Sequence, residues 1–202
     1  GDFFEIFENK NTLICAIGDV SGKSLPAAFY MYMSYSMVHT LLQIKSVDSV
    51  LIKKMNNIIL KKSKQSMFLT LGIMEYDNID KKAVLYSAGH NPFIYYNAEK
   101  SRISEINPAG PPLGILKNPN FKKTIITPSK NDILLIYSDG ITEARNQNFS
   151  DFGEEKLKDI IMEYSYKNAH QLSRIITDKI FSFTKSIEIF DDMTLLVMKW
   201  LK

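Results

Sequence analysis

From Asp2 to Phe7 apolar and polar residues alternate, the pattern of a half-buried strand. Asn9-Lys10-Asn11 then predicts a turn, and the mostly apolar run from Thr12 to Ile17 predicts a returning strand that ends at Gly18-Asp19. Ser21-Gly22-Lys23 breaks the pattern. Ser24-Leu25-Pro26 offers an N-cap hydroxyl and a proline suited to a first helical turn, so a helix is expected to about Ile44. A second helix is expected from about Val47 to Lys62, with Val50, Leu51, Met55, Ile58 and Ile59 at spacings of three and four. From Ser66 the period shifts toward two. Met67 to Tyr76, Ala83 to Ala88 and Phe93 to Tyr96 predict an antiparallel meander, punctuated by Asp77-Asn78 and Gly89-His90-Asn91-Pro92. A loop from Pro108 to Gly114 leads to a strand near Lys122 to Thr127, and a strongly apolar strand, Ile133 to Tyr137, ends at Ser138-Asp139-Gly140. Amphipathic helices fit about Gly153 to Tyr164 and Ala169 to Phe183, and Asp191-Asp192 introduces a last strand, Met193 to Trp200. Strands and helices fall in separate blocks, which predicts an α+β fold of mainly antiparallel sheets covered by helices. With no repeat and no Gly/Ser linker, residues 1–202 form one expected domain.

Composition narrows the chemistry. The 202 residues are 45% hydrophobic, enough for a sizeable core. Twenty-five Lys+Arg against 22 Asp+Glu leave a formal charge of +3, too small and scattered for a nucleic-acid or anionic-membrane protein. A single cysteine, Cys15, excludes an internal disulfide and a Cys-based zinc site and suits a reducing compartment, so a cytoplasmic location is expected. No apolar run approaches the ~20 residues of a membrane span, although a parent protein could be anchored elsewhere.

Four aspartates share one kind of setting: Asp2 and Asp191 at strand starts, Asp19 and Asp139 just beyond apolar strand ends. Any one of them alone reads as a turn residue. Four carboxylates converging on one site would repel unless a cation neutralised them. All-oxygen donors without Cys or His select a hard ion, Mg2+ or Mn2+.

Six blocks, taken in order, carry a family resemblance. They are Gly1-Asp2-Phe3-Phe4, Gly18-Asp19-Val20-Ser21-Gly22-Lys23, Ala88-Gly89-His90-Asn91-Pro92, Pro112-Leu113-Gly114, Tyr137-Ser138-Asp139-Gly140-Ile141-Thr142-Glu143-Ala144-Arg145 and Asp191-Asp192-Met193-Thr194-Leu195. Together they resemble the bacterial stage-II-sporulation-E/RsbU-type branch of the PP2C (PPM) serine/threonine phosphatases, from end to end of the chain. The resemblance implies an αββα sandwich, two mainly antiparallel sheets flanked by helices, with two Mn2+ or Mg2+ ions at one edge of the sheets. It implies that Asp19 bridges both ions, that the Val20 carbonyl is a further ligand, and that Asp2, Asp139 and Asp191 supply the remaining contacts. Asp19 and Asp139 are the expected catalytic ligands. The implied reaction is hydrolysis of a phosphoserine or phosphothreonine on a regulatory protein by a metal-bridging water. The implied substrate is a STAS-type anti-sigma-factor antagonist in a partner-switching pathway. An N-terminal sensor in a longer parent chain is also implied, since the chain starts inside the first motif, and so is a homodimer through the helices after Ser24.

Some positions depart from the pattern or stay open. Eukaryotic-type relatives place a histidine where this chain has Ser21, leaving Lys23, His90 or metal-bound water to protonate the leaving group. His90 in its Gly-His-Asn-Pro turn is expected to be structural. Arg145 is expected to pair with a nearby carboxylate. The Met/Tyr-rich stretch from Tyr30 to Met37 is expected to pack against a sheet or partner, and Lys61-Lys62-Ser63-Lys64 to be a solvated helix end. The likeness of Gly1-Asp2-Phe3-Phe4 to the Gly-Gly-Asp-Glu-Phe loop of diguanylate cyclases is rejected, because it leaves the later Asp blocks unexplained. The alternative function is a catalytically weak or inactive PP2C-like regulatory binding module.

Overall fold

The computed structural model of the protein describes residues 1–22, 25–44, 46–62, 67–185 and 191–201. Lys23, Ser24 and the Ser63-Lys64 end of the lysine run, to which roles were assigned above, lie outside the described residues. The chain runs β1 (Asp2–Glu8), β2 (Thr12–Val20), α1 (Leu25–Ile44), α2 (Ser49–Lys62), β3 (Leu69–Asp77), β4 (Lys82–Ala88), β5 (Phe93–Asn97) and β6 (Arg102–Ile106). It continues β7 (Lys123–Ile126), β8 (Ile133–Tyr137), α3 (Asp139–Thr142), α4 (Gly153–Tyr164), α5 (Ala169–Thr184) and β9 (Leu195–Lys199). Two compact units result, Gly1–Pro92 with Asn107–Thr127, and Phe93–Ile106 with Pro128–Lys202.

The first unit carries an antiparallel sheet of order β1-β2-β3-β4-β7. Its register is fixed by hydrophobic matching, as where the Phe3 ring lies over its cross-strand partner Gly18. A Cβ on Gly18 would meet that ring at 2.3 Å, so only glycine fits beneath it. Helix α1 lays Ala27, Tyr30, Ser34, Val38 and Leu42 toward the core, and α2 adds Leu51, Ile52, Met55 and Ile59. These two helical faces share one core with Phe3, Ile14, Ala16, Leu71 and Ile73 of the sheet. Burying each of the Leu, Ile, Val, Met and Phe side chains among them contributes roughly 1.5–3 kcal/mol. Of the Met/Tyr-rich stretch, Tyr30 is buried and Met31, Met33, Tyr35 and Met37 pack partly on the core, whereas Tyr32 is exposed. Glu5, buried on β1, meets His39 Nδ1 of α1 at 2.9 Å, a polar pin within that otherwise apolar contact.

The second unit carries an antiparallel sheet of order β6-β5-β8-β9. Its core joins Leu157, Ile160 and Ile161 of α4 and Leu172, Ile176 and Ile180 of α5 to Ile94, Leu135 and Tyr137. A capping box opens α5: the Asn168 side chain accepts from Gln171 N, and the Gln171 side chain accepts from Asn168 N. Burial, with Glu154 accepting from the Tyr137 hydroxyl at 3.1 Å, pushes the Tyr137 phenol well above its ordinary range.

Four sequence expectations change. The meander stops at β4, whose free edge takes β7, while β5 pairs with β6 and β8 in the other sheet. The chain leaves the first sheet because Gly89 adopts φ +68° and turns its N–H to the Gly110 carbonyl, 2.9 Å away. Strand β6 was not anticipated; its burial alternates poorly along Arg-Ile-Ser-Glu-Ile, as expected of an edge strand. Beyond the expected strand end, Ser138-Asp139-Gly140 opens the single turn α3, and β2 continues past its expected end at Ile17 through Gly18 and Asp19 to Val20.

Candidate metal centre

Asp2 and Asp19 are cross-strand partners on β1 and β2. The Val20 N–H donates to the Gly1 carbonyl at 3.3 Å, so Gly1 and Val20 form the hydrogen-bonded pair of this ladder. Alternation then makes Asp2 and Asp19 a non-hydrogen-bonded pair, the type whose Cα atoms approach to about 4.5 Å with side chains on one face. Two carboxylates are thereby held side by side on one face at the end of an apolar sheet. A Cβ on Gly1 would fall 2.5 Å from the Val20 carbonyl oxygen and 3.2 Å from Asp19 Oδ1, so glycine keeps that flank of both oxygens clear. The oxygen-only donor set and the space preserved beside it fit a hard divalent ion.

The segment after Asp19 is fastened to the residue that leads into β3. Ser21 N donates to the Phe68 carbonyl at 3.0 Å, and Phe68 N donates to Ser21 Oγ at 2.9 Å. Ser21, at the position where a proton donor was sought, therefore closes a local backbone clasp.

In the second unit, β8 is buried along its whole length and delivers Ser138 and Asp139 to the start of α3. Ser138 ties that point to the chain preceding β9: its N–H donates to the Thr194 carbonyl at 3.0 Å, and its Oγ accepts from Thr194 N at 2.9 Å. Gly140 completes the approach, since a Cβ there would lie 2.1 Å from the Asp192 carbonyl oxygen. Asp139 and the Asp191-Asp192 segment are thus neighbours, and Asp191 Oδ1 accepts from Asp192 N at 3.0 Å. Among the described residues no group of three or more His, Cys, Asp or Glu side chains is placed to hold a metal ion.

Of the remaining candidates, Arg145 Nε pairs with Asp151 Oδ1 at 2.9 Å in an exposed bridge. His90 is buried, and its Nδ1 meets Thr70 Oγ1 at 3.0 Å. Sequence reasoning passed over Thr70 and over the packing roles of Ser138 and Gly140. The first is one hydroxyl inside a buried strand and carries no motif signal, whereas the Ser-Asp-Gly triplet did mark the other two.

Two antiparallel sheets with segregated helices and paired strand-end carboxylates define a chain of the PP2C phosphatase fold. The structure of the PP2C phosphatase domain and regulatory fragment of SpoIIE from Bacillus subtilis superposes with a TM-score of 0.83 at 19% identity, covering 98% of this chain and 58% of that one. RsbX in complex with magnesium superposes with a TM-score of 0.70 at 18% identity, covering 97% of this chain and 85% of that one. The family model Stage II sporulation protein E (SpoIIE) matches residues 9–201, and the chain belongs to that family. It is 30% identical over 200 residues to phosphoserine phosphatase RsbU of Bacillus subtilis (strain 168), covering 98% of this chain and 59% of RsbU. The chain spans between 33% and 59% of the length of the curated relatives it matches.

Proposed function

We propose that the chain is a metal-dependent protein serine/threonine phosphatase that hydrolyses a phosphoserine or phosphothreonine on a regulatory protein. The observation that carries this reading is the Asp2–Asp19 pair on adjacent strand ends, with Gly1 keeping space beside Asp19 and the Val20 carbonyl. Membership of the SpoIIE family and the likeness to phosphoserine phosphatase RsbU support it. The family resemblance assigns Asp2, Asp19, the Val20 carbonyl, Asp139 and Asp191 to two Mn2+ or Mg2+ ions. Such ions polarise phosphoryl oxygens and lower the pKa of water, which removes the need for a covalent nucleophile. The protein's own contribution is positional: the β1–β2 ladder sets the spacing of Asp2 and Asp19, and the Ser138–Thr194 clasp sets Asp139 beside the chain before β9.

The resemblance extends the proposal to a STAS-type anti-sigma-factor antagonist as substrate and to a cytoplasmic, homodimeric parent protein with an N-terminal sensor, of which residues 1–202 are one phosphatase domain. Among the described residues no helix is long and apolar enough to cross a membrane. The test is phosphate release from a phosphoserine protein with Mn2+. Activity is expected to vanish in EDTA and in Asp19→Asn and Asp139→Asn; undiminished turnover in those conditions would overturn the proposal. Failure of the wild-type protein to bind Mn2+ or release phosphate would favour a regulatory binding module instead.

A further inference from the structure

The Gly89-His90-Asn91-Pro92 turn has no part in the ligand set, yet it is built with unusual care. Gly89 takes φ +68°, and the Pro112 ring packs so closely that a Cβ would meet it at 2.4 Å. The next residue, His90, is clamped at both backbone groups by one hydroxyl: its N–H donates to Ser87 Oγ at 3.1 Å, and Ser87 Oγ donates to its carbonyl at 3.2 Å. The result is a buried imidazole whose Nδ1 lies 3.0 Å from Thr70 Oγ1.

Thr70 is the cross-strand partner of Asp19 on β3, just as Asp2 is its partner on β1. Directly opposite residues share a face, so Asp2, Asp19 and Thr70 form one polar row across three strands. The Thr70 hydroxyl also reaches the Asp19 carbonyl oxygen, at 3.4 Å. A hydroxyl can donate one proton and accept through its lone pairs, so Thr70 Oγ1 bridges the His90 ring nitrogen and the Asp19 carbonyl, with the shorter contact to the imidazole.

We propose that Thr70 and His90 are a positioning pair for Asp19, the imidazole fixing the threonine hydroxyl and the hydroxyl fixing the flank of the carboxylate strand end. The inference rests on the reading of Asp19 as a metal ligand. Outer partners that orient ligands typically change metal affinity by 10–100-fold when removed.

The experiment is Mn2+ titration by calorimetry on the purified chain, with thermal unfolding in the absence of metal as the control. Thr70→Val keeps the β-branched shape and removes the hydroxyl; it is expected to weaken Mn2+ binding by roughly 10-fold or more, with Thr70→Ser restoring it. His90→Leu is expected to match Thr70→Val, and the double variant to lose no more than either alone, because both cut the same link. His90→Asn, whose amide donates near the Nδ1 position, is expected to rescue. If His90→Leu fails to fold, the Thr70→Val and Thr70→Ser comparison still decides. Asp19→Asn separates the two layers: loss of Mn2+ binding there with wild-type binding in Thr70→Val would overturn the positioning pair alone. Unaltered Mn2+ binding in Asp19→Asn would overturn the ligand reading beneath it.

Discussion

Replacing Gly140 by alanine sets two effects of opposite sign against each other. Gly140 lies within α3, and alanine is favoured over glycine in a helix by about 1 kcal/mol. Against that, the new methyl would sit 2.1 Å from the Asp192 carbonyl oxygen and 3.4 Å from Met193 Cγ. An acceptable carbon–oxygen contact is roughly 3.3 Å, so the backbone at Asp192 must retreat by about 1 Å. Overpacking of this kind costs about 1–3 kcal/mol, and a single-turn helix realises only part of the propensity gain. The expected outcome is a net destabilisation of about 1–2 kcal/mol, read by urea unfolding. If Asp191 has the metal role proposed above, Mn2+-dependent phosphate release should also fall, by as much as about 100-fold, the loss that a misplacement of about 1 Å can cause. Gly153→Ala is the matched control: Gly153 has φ +80° with nothing within 4 Å, so alanine there costs about 1–2 kcal/mol through backbone strain alone. The two variants should lose similar stability, and only Gly140→Ala should lose activity. A Gly140→Ala protein as stable and as active as wild type would refute the reasoning.

Asp132 offers a test of the second unit's architecture. Fully buried, it accepts from the Tyr95 hydroxyl, from Ala98 N at 2.7 Å and from Ser129 N at 2.8 Å. Asp132→Ala should destabilise by about 2–4 kcal/mol and Asp132→Asn by less, since an amide keeps one acceptor oxygen; equal stabilities in chemical denaturation would contradict this. Burial raises the Glu75 pKa, only partly offset by the Val47 N–H that donates to its Oε2 at 2.7 Å. The folded state thus holds this proton more tightly than the unfolded chain, so the contribution is present at low pH and is lost as pH rises through the raised folded pKa. Glu75→Gln should therefore gain stability over wild type at about pH 7 relative to about pH 4, and an identical difference at both would refute the assignment.

Much of the fold was legible because burial imposes period. The five long elements from β2 to β4 all appear near their expected bounds, and α4 matches its expected limits residue for residue, since one-sided burial writes its period into the sequence. Strand β6 was not legible because an edge strand needs no buried face and so leaves no alternation. The partition of strands between sheets was not legible either: β4 and β5 adjoin in sequence, but pairing depends on which edge is still open, and β7 arrives from much later in the chain to close β4.

The candidate site divides in the same way. The sequence by itself determined the family and the α+β class and singled out the aspartates as candidates, because special backbone positions leave compact local signatures such as Gly-Asp-Val-Ser-Gly and Ser-Asp-Gly. Only the tertiary structure decided that Asp2 and Asp19 share a rung of one ladder, that Thr70 extends that row, and that Ser138 and Gly140 seat the chain before β9. Register and close approach are relations between residues far apart in the chain, and they exist only after the cores have folded and brought those strands together.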